Sequence, residues 1–542
     1  MNKNNILHTD YTTFSSYFQL RFPINTEIWI PKNDSVRLLS QYVERMDLTD
    51  LYHTYSRPGK IDVTPRIMTK ILLYAYMEGI YSSRAIESAC RRDINFWYLL
   101  EGKKAPDHTT IARFRTLHFG PCAVKMLAEM TLFLRELGEI SGQTIFIDGT
   151  KIEANANRYT FVWKKAATKN QAKLFEKIAV LVEECVRRYD LKPVWHGEVK
   201  EKDLRKLLRR LEKIKEEEEI EFVHGKGTRK TQLQRDMEEA QTYLEKLREY
   251  DEKRRICGTR SSYSKTDHDA TFMRMKEDHM RNGQLKPAYN LQVGADAGYA
   301  VWADLFQSTN DLSTLIPFLK KAKQHLGFKY ETVVADAGYE SEENYSYLED
   351  QGIRGMIKPA NYEISRTRKF KQDISRRENM EYDAENDCYI CSVGRRLVKT
   401  GESTRKTATG YLRKVSRYEC EDCGGCPAKQ QCIRGNHSKT PLEERTKRLE
   451  VSRKFEAQRK RSLERIITEE GCMLRVNRSI QAEGIFAEVK EDRDFKRYLC
   501  RGYENVLAET ILVLMAQNME RLDRRIQNGK TGCHLYPLKN TA

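Results

Sequence analysis

The sequence predicts an α/β protein, in which a mixed sheet flanked by helices is preceded by an all-helical region and interrupted by a helical insert and a cysteine-rich module. Three observations predict it. Apolar residues recur at helical spacing from about 20 to 120; short apolar runs that alternate or end at an aspartate appear near 145 and between 287 and 357; and charged helices with narrow apolar stripes fill the stretch between. At 542 residues the chain is too long for one core and should hold two to four folded units.

Residues 1–125 read as a helical domain that binds DNA. Thr64-Pro65 is an N-cap followed by proline at the first helical position, and Ile67, Ile71, Leu72, Ala75 and Tyr76 follow at helical spacing. Gly79 ends that helix, Ser82-Ser83 starts another through Ile86 and Cys90, and a third runs from Thr109 to Leu117 after Pro106-Asp107. Thr109, Thr110, Arg113 and Arg115 lie on its polar side. Short helices of which the last is basic have the build of a helix-turn-helix reader, and a packing helix with solvated arginines accounts for the pattern equally well.

Ile145-Phe146-Ile147-Asp148-Gly149-Thr150 reads as an apolar strand closed by an aspartate, within a core assigned to 140–160 and 286–365. Between these, 160–285 reads as an antiparallel helical arm, an oligomerisation or spacer element. Its stripes are Leu174, Ile178, Leu181, Val182 and Cys185; Leu204, Leu207, Leu208, Leu211 and Ile214; and Leu233, Met237, Ala240, Tyr243, Leu244 and Leu247. Glu216 to Glu219 end the second helix and Gly225-Lys226-Gly227 marks a turn. Tyr289 to Val293 and Tyr299 to Phe306 then alternate around Gly294–Gly298 as a hairpin. A helix from Leu312 to Leu326, a strand ending at Asp336, a helix through Tyr345 and Leu348 and a strand at Gly355-Met356-Ile357 complete two strand-helix-strand steps. Residues 445–525 supply further helices.

The chain carries 95 Lys+Arg against 78 Asp+Glu, a net charge of +17, which favours a polyanionic partner without requiring one. No apolar run reaches the roughly 18 residues that span a bilayer, and no signal-type apolar core follows Met1, so a soluble, intracellular protein is expected. Of 13 cysteines, six crowd between 388 and 432, which suits a reducing compartment with one local metal site.

Asp148 and Asp336 each follow a short apolar run, and Glu483 precedes Lys490 by seven residues, about two helical turns, so both project from one helix face. Two aspartates on a rigid sheet and a helical glutamate are a ligand set for two hard divalent cations, which suits phosphodiester chemistry. Ala-Asp-Ala-Gly-Tyr occurs twice, at 295–299 and 335–339. The first copy lies in the hairpin turn, so Asp296 reads as a turn residue and Asp336 as the ligand. Lys490 is placed to contact a phosphate, and Arg475, Arg478, Arg493, Lys496, Arg497 and Arg501 surround the helix as DNA-binding side chains.

Cys388-x2-Cys391 and Cys420-x2-Cys423-x2-Cys426-x5-Cys432, in a module at 380–440, supply more thiolates than one tetrahedral Zn²⁺ needs. A structural zinc on Cys388, Cys391, Cys420 and Cys423 is expected, with Cys426, Cys432 and His437 as substitutes. A redox-sensitive thiol cluster and an iron-sulfur centre are the alternatives.

The blocks Phe146 to Ala156, Val334 to Tyr339 and Gln481 to Lys490 resemble those of the DDE transposases of bacterial insertion sequences, and Tyr81 to Glu87 with Pro106 to Ile111 look like the helical domain that precedes the core in one large group of them. The likeness extends from about 30 to 525. It implies an RNase H-like core and two Mg²⁺ (or Mn²⁺) ions held by Asp148, Asp336 and Glu483. It also implies a cytoplasmic, nucleoid-associated enzyme that cuts the double-stranded DNA ends of its element and transfers them into target DNA, as a homodimer and without a membrane. The position at which related enzymes often carry an arginine holds Ser479, with Arg478 one residue earlier. In related enzymes an aromatic residue stacks on a displaced base; Trp163 and Trp195 are the residues in question, with packing the favoured role for each.

Overall fold

Residues 29–55, 63–192, 200–224, 229–275, 283–435, 438 and 440–537 are described by the computed structural model, and the chain divides into a unit up to Phe114 and a unit from Arg115. Gly225-Lys226-Gly227, Trp195 and His437 lie outside the described residues.

The first unit is helical. Thr64 caps Pro65–Met77, its side chain accepting from the Ile67 N–H, with Pro65 in the first turn, where no amide donor is needed. Gly79, at φ +70°, turns the chain out of that helix. Ser82 caps Ser83–Arg92 and Asp107 caps His108–Arg113 in the same way. One expectation is corrected. The helix starting near Thr109 does not stop at Leu117, because a π-helical turn at Phe114–Phe119 leads into the helix Gly120–Glu136. Gly120-Pro121 looks like a breaker in sequence but is absorbed in the first turn of that helix. The helical run 108–136 also contains a stretch long and apolar enough to cross a membrane, half of it buried inside the fold.

The second unit is built on a six-stranded mixed sheet. Strand β1 (Thr144–Glu153) pairs antiparallel with β5 (Leu285–Asp296) on one side and parallel with β7 (Thr332–Ala335) on the other. Strand β8 (Arg354–Ile357) continues the parallel side, and β4 (Thr271–Arg274) and β6 (Tyr299–Phe306) pair along the far edge of β5. The β5–β6 hairpin closes through Ala297 and Gly298, both at positive φ. Helices Leu315–Leu326 and Glu342–Asp350 connect β6 to β7 and β7 to β8.

The insert leaves this sheet through the short pair β2 (Phe161–Trp163) and β3 (Ser262–Ser264). Helices Lys164–Arg188, Glu201–Glu217 and Gln232–Cys257 then bury one shared core, in which Ile178, Val182, Cys185, Leu204, Leu207, Leu211, Ala240 and Leu247 are almost wholly shielded from water. The stripes pack on one another, as their narrowness requires.

The cysteine-rich stretch forms a separate antiparallel sheet, β9 (Glu381–Asp383), β10 (Cys388–Ile390), β11 (Arg396–Lys406), β12 (Leu412–Cys420) and β13 (Arg448–Val451), adjacent in sequence order. Helix Arg453–Ile466 returns to the mixed sheet, where Arg459 donates to both carboxylate oxygens of the buried Glu340 at 2.7 Å. Helix Glu469–Arg478 lies against β1 and β7 and runs on through π-helical turns at Ser479–Glu483 and Glu488–Asp492, and Tyr503–Gln527 closes the unit.

Candidate active site

Parallel pairing of β1 and β7 ends at the rung Ile147↔Ala335, and the next residues on the two strands are Asp148 and Asp336. Asp148 does not close its strand, as the sequence suggested. β1 continues to Glu153 against β5, so Asp148 is a buried mid-strand residue standing where its parallel neighbour stops. That gap in the ladder exposes one flank of an otherwise covered strand. Asp336 leaves the sheet into a tight turn, its Oδ1 accepting from the Gly338 N–H at 2.7 Å.

Glu483 is exposed at the end of the first π-helical turn. Gln481 anchors that turn, its Oε1 accepting from the Gly298 N–H at 2.9 Å and its Nε2 donating to Asn477. Arg478 joins the acids: its guanidinium lies 3.4 Å from Asp148 Oδ2 and donates to Glu483 Oε1 at 2.8 Å. Ser479 Oγ donates to the other Glu483 oxygen at 2.9 Å. Both residues at the arginine position of the resemblance therefore hold the glutamate. Lys490 is buried, with Nζ donating to the Lys151 carbonyl of β1 at 3.1 Å. The two π turns shift the helical phase between Glu483 and Lys490, so one is exposed and the other buried, where a regular helix would put them on one face.

The buried Tyr339 hydroxyl, which donates to Gln292, is surrounded by these groups. Burial raises its pKa well above the ordinary tyrosine value, the charges of Asp311, Asp148 and Asp336 raise it further, and Arg478 opposes them. The other copy of the pentapeptide has different surroundings. Asp296 accepts from the Gly142 N–H at 2.8 Å and from Ser141, burial pushes its carboxyl up to about 6, and Tyr299 donates to Glu139. Asp296 is the last strand residue before the turn, and it pins the segment that leads into β1.

Sequence reasoning missed Asp311, which accepts from Asn290 and Gln292 at 2.8 and 2.9 Å. The available signal was the polar pair Asn290 and Gln292, two residues apart and both buried in a strand that is otherwise mostly apolar.

The basic residues divide. Arg113 is exposed. Arg115 is buried and acts electrostatically on the buried Glu509, so it does not lie on a polar helix face. Arg493 is likewise shielded in an ion pair with Glu520, because helix Tyr503–Gln527 packs over it. Arg475 donates to Cys472. Lys496, Arg497 and Arg501 remain at the surface, Arg497 3.8 Å from Glu153 and Arg501 donating to the Asn155 carbonyl at 2.8 Å. Trp163 packs with Phe161 and Phe272.

All 13 cysteines are free thiols. Cys391, Cys420, Cys423, Cys426 and Cys432 influence one another: burial raises the Cys420 and Cys432 pKa values first, and the neighbouring thiols add to it. Cys388 instead lies with Sγ 4.0 Å from Asp383 Oδ2. Among the described residues no three His, Cys, Asp or Glu side chains are gathered closely enough to enclose a metal ion as they stand. Arg478, between Asp148 and Glu483, is the physical reason at the acid site.

Two family models match the chain: Transposase domain (DUF772) over residues 24–117 and Transposase DDE domain over residues 390–523. The second match covers the cysteine strands, Glu483 and Lys490; Asp148 and Asp336 lie outside both. Neither a search of curated proteins nor a search of solved structures gave a match.

Proposed function

The chain belongs to the DDE transposases of the insertion-sequence type, and from that premise we propose that Asp148, Asp336 and Glu483 form the centre that cuts the ends of its element and joins them to target DNA. The observation that carries this reading is the placement of Asp148 and Asp336 side by side where β7 stops, with Glu483 linked to Asp148 through Arg478. The strand order β6-β5-β1-β7-β8, antiparallel then parallel, supports an RNase H-like core.

The donor set is all carboxylate oxygen, which fits two Mg²⁺ or Mn²⁺ ions. Gly149 and Gly338 leave the backbone beside the two aspartates bare, so no side chain fills the space they border. Such ions supply Lewis-acid stabilisation of the attacking and leaving oxygens. The protein's own residues do the rest. Arg478 offsets the carboxylate charge at Asp148 and Glu483, Ser479 orients Glu483, and Lys490 braces the glutamate helix on β1. Surface residues Arg113, Lys496, Arg497 and Arg501 neutralise phosphates of the bound duplex. Synapsis of two ends calls for a homodimer.

Incubating the protein with Mg²⁺, labelled duplex bearing the element's ends and a plasmid target is expected to give plasmid-joined label. Hydrolysed ends alone would make the protein a nuclease, and binding without cutting would make it a regulator.

The cysteine sheet is proposed to carry one structural Zn²⁺ held by four of Cys391, Cys420, Cys423, Cys426 and Cys432, with thiolates closing chelate rings across the C-x2-C spacings. Metal analysis of purified protein is expected to give about one zinc per chain, falling to near zero in Cys420→Ser/Cys423→Ser. Unchanged zinc content in that variant would contradict the assignment.

A further inference from the structure

We propose that Asp311, from the connection between β6 and helix Leu315–Leu326, is a fourth carboxylate facing the cations; this rests on the transposase reading above. The aspartate is held from one side only. Its Oδ1 accepts from Asn290 Nδ2 and Gln292 Nε2, at 2.8 and 2.9 Å. Gln292 is itself fixed, its Oε1 accepting from Thr314 Oγ1 at 3.2 Å and from the Tyr339 hydroxyl. Those donors are neutral amides. Among the described residues Asp311 and Asp336 have no ion-pair partner, whereas Asp148 and Glu483 share Arg478.

The remaining oxygen points at the site. A Cβ on Gly338 would lie 3.5 Å from Asp311 Oδ2 and 2.9 Å from Asp336 Oδ1, so the two carboxylates border one bare piece of backbone. A Cβ on Gly149, the residue after Asp148, would lie 3.1 Å from Asp311 Oδ1 and collide with Gln292. Two glycines, one beside each aspartate of the site, thus open the same space toward Asp311. The Tyr339 hydroxyl senses Asp311, Asp148 and Asp336 together, which places all three acids around one buried atom.

Three carboxylates gathered with little countercharge repel one another, and the protein supplies only Arg478 close by. With Glu483 they match the charge of two divalent ions. Ligand charge sets how tightly an oxygen site holds such ions, so Asp311 contributes to cation affinity rather than to the stability of the cation-free fold.

Mn²⁺ binding by electron paramagnetic resonance, on the full chain without DNA, tests this alongside melting curves in EDTA. Asp311→Asn keeps an oxygen for Asn290 and Gln292 and removes only the charge. It is expected to weaken Mn²⁺ binding about tenfold and to leave the EDTA melting temperature unchanged or higher. Asn290→Ala is the second variant, because it removes a hydrogen bond and leaves the charge. A purely fold-holding Asp311 would make Asn290→Ala behave like Asp311→Asn, and a cation-facing Asp311 leaves Asn290→Ala near wild type in Mn²⁺ binding. Wild-type Mn²⁺ affinity in Asp311→Asn, with weakened binding in Asp336→Asn, would overturn the role of Asp311 alone. Wild-type affinity in Asp336→Asn as well would overturn the cation site on which the proposal rests.

Discussion

Asp336→Asn is expected to lower Mg²⁺-dependent DNA cleavage about a thousandfold, equivalent to ~4 kcal/mol in the barrier, with the fold intact. The substitution is nearly isosteric. The amide oxygen it introduces would still accept from the Gly338 N–H, the one hydrogen bond that Asp336 makes in its turn, so only the charge is lost. That charge is what a divalent ion needs, since a neutral amide oxygen holds it far more weakly than a carboxylate. Single-turnover cleavage of end-bearing duplex checks this, with DNA binding and the melting temperature measured in parallel. A loss of cleavage accompanied by a large fall in melting temperature would assign Asp336 to the fold instead.

Arg459→Met is expected to destabilise the second unit by about 3–5 kcal/mol, because it leaves the Glu340 carboxylate buried and unpaired. Glu340 is nearly inaccessible to water, and both its oxygens take 2.7 Å hydrogen bonds from Arg459, with the Ala360 N–H as a further donor at 2.8 Å. The pair ties the helix leading toward Glu483 to the segment just after the Asp336 turn. Glu340→Gln in the Arg459→Met background should recover part of the loss, since a neutral amide costs less to bury. Urea unfolding monitored by circular dichroism measures both. A loss below about 1 kcal/mol in Arg459→Met would show that the pair is open to solvent.

Much of this architecture was legible in the chain. Capping by Thr64, Ser82 and Asp107 depends on residues within three positions, and the apolar stripes of the insert report their burial directly through helical period. The strands near 145, 290, 300 and 333 were legible for the same local reason. What was not legible depends on partners distant in sequence. Asp148 looked terminal because polar residues follow it, yet β5 carries β1 on to Glu153, a contact more than a hundred residues away. Arg115 and Arg493 read as basic surface until the helix Tyr503–Gln527 and its acids cover them. The π turns around Glu483 leave no mark in periodicity, since each widens the helix by a single residue's worth of phase. Asp311 looked like an ordinary loop acid before a helix, and only the sheet brings Asn290 and Gln292 to it.

The central claim is that Asp148, Asp336 and Glu483 act as one cation-dependent cutting centre and that Asp296, in the other copy of the repeated pentapeptide, does not. Single-turnover cleavage of end-bearing duplex in Mg²⁺ by Asp148→Asn, Asp336→Asn, Glu483→Gln and Asp296→Asn, each assayed at equal DNA occupancy, tests it most directly. The first three are expected to lose cleavage together, with Asp296→Asn cutting at close to the wild-type rate. Cleavage that survives in any of the first three, or that is lost in Asp296→Asn with its fold intact, would contradict the account.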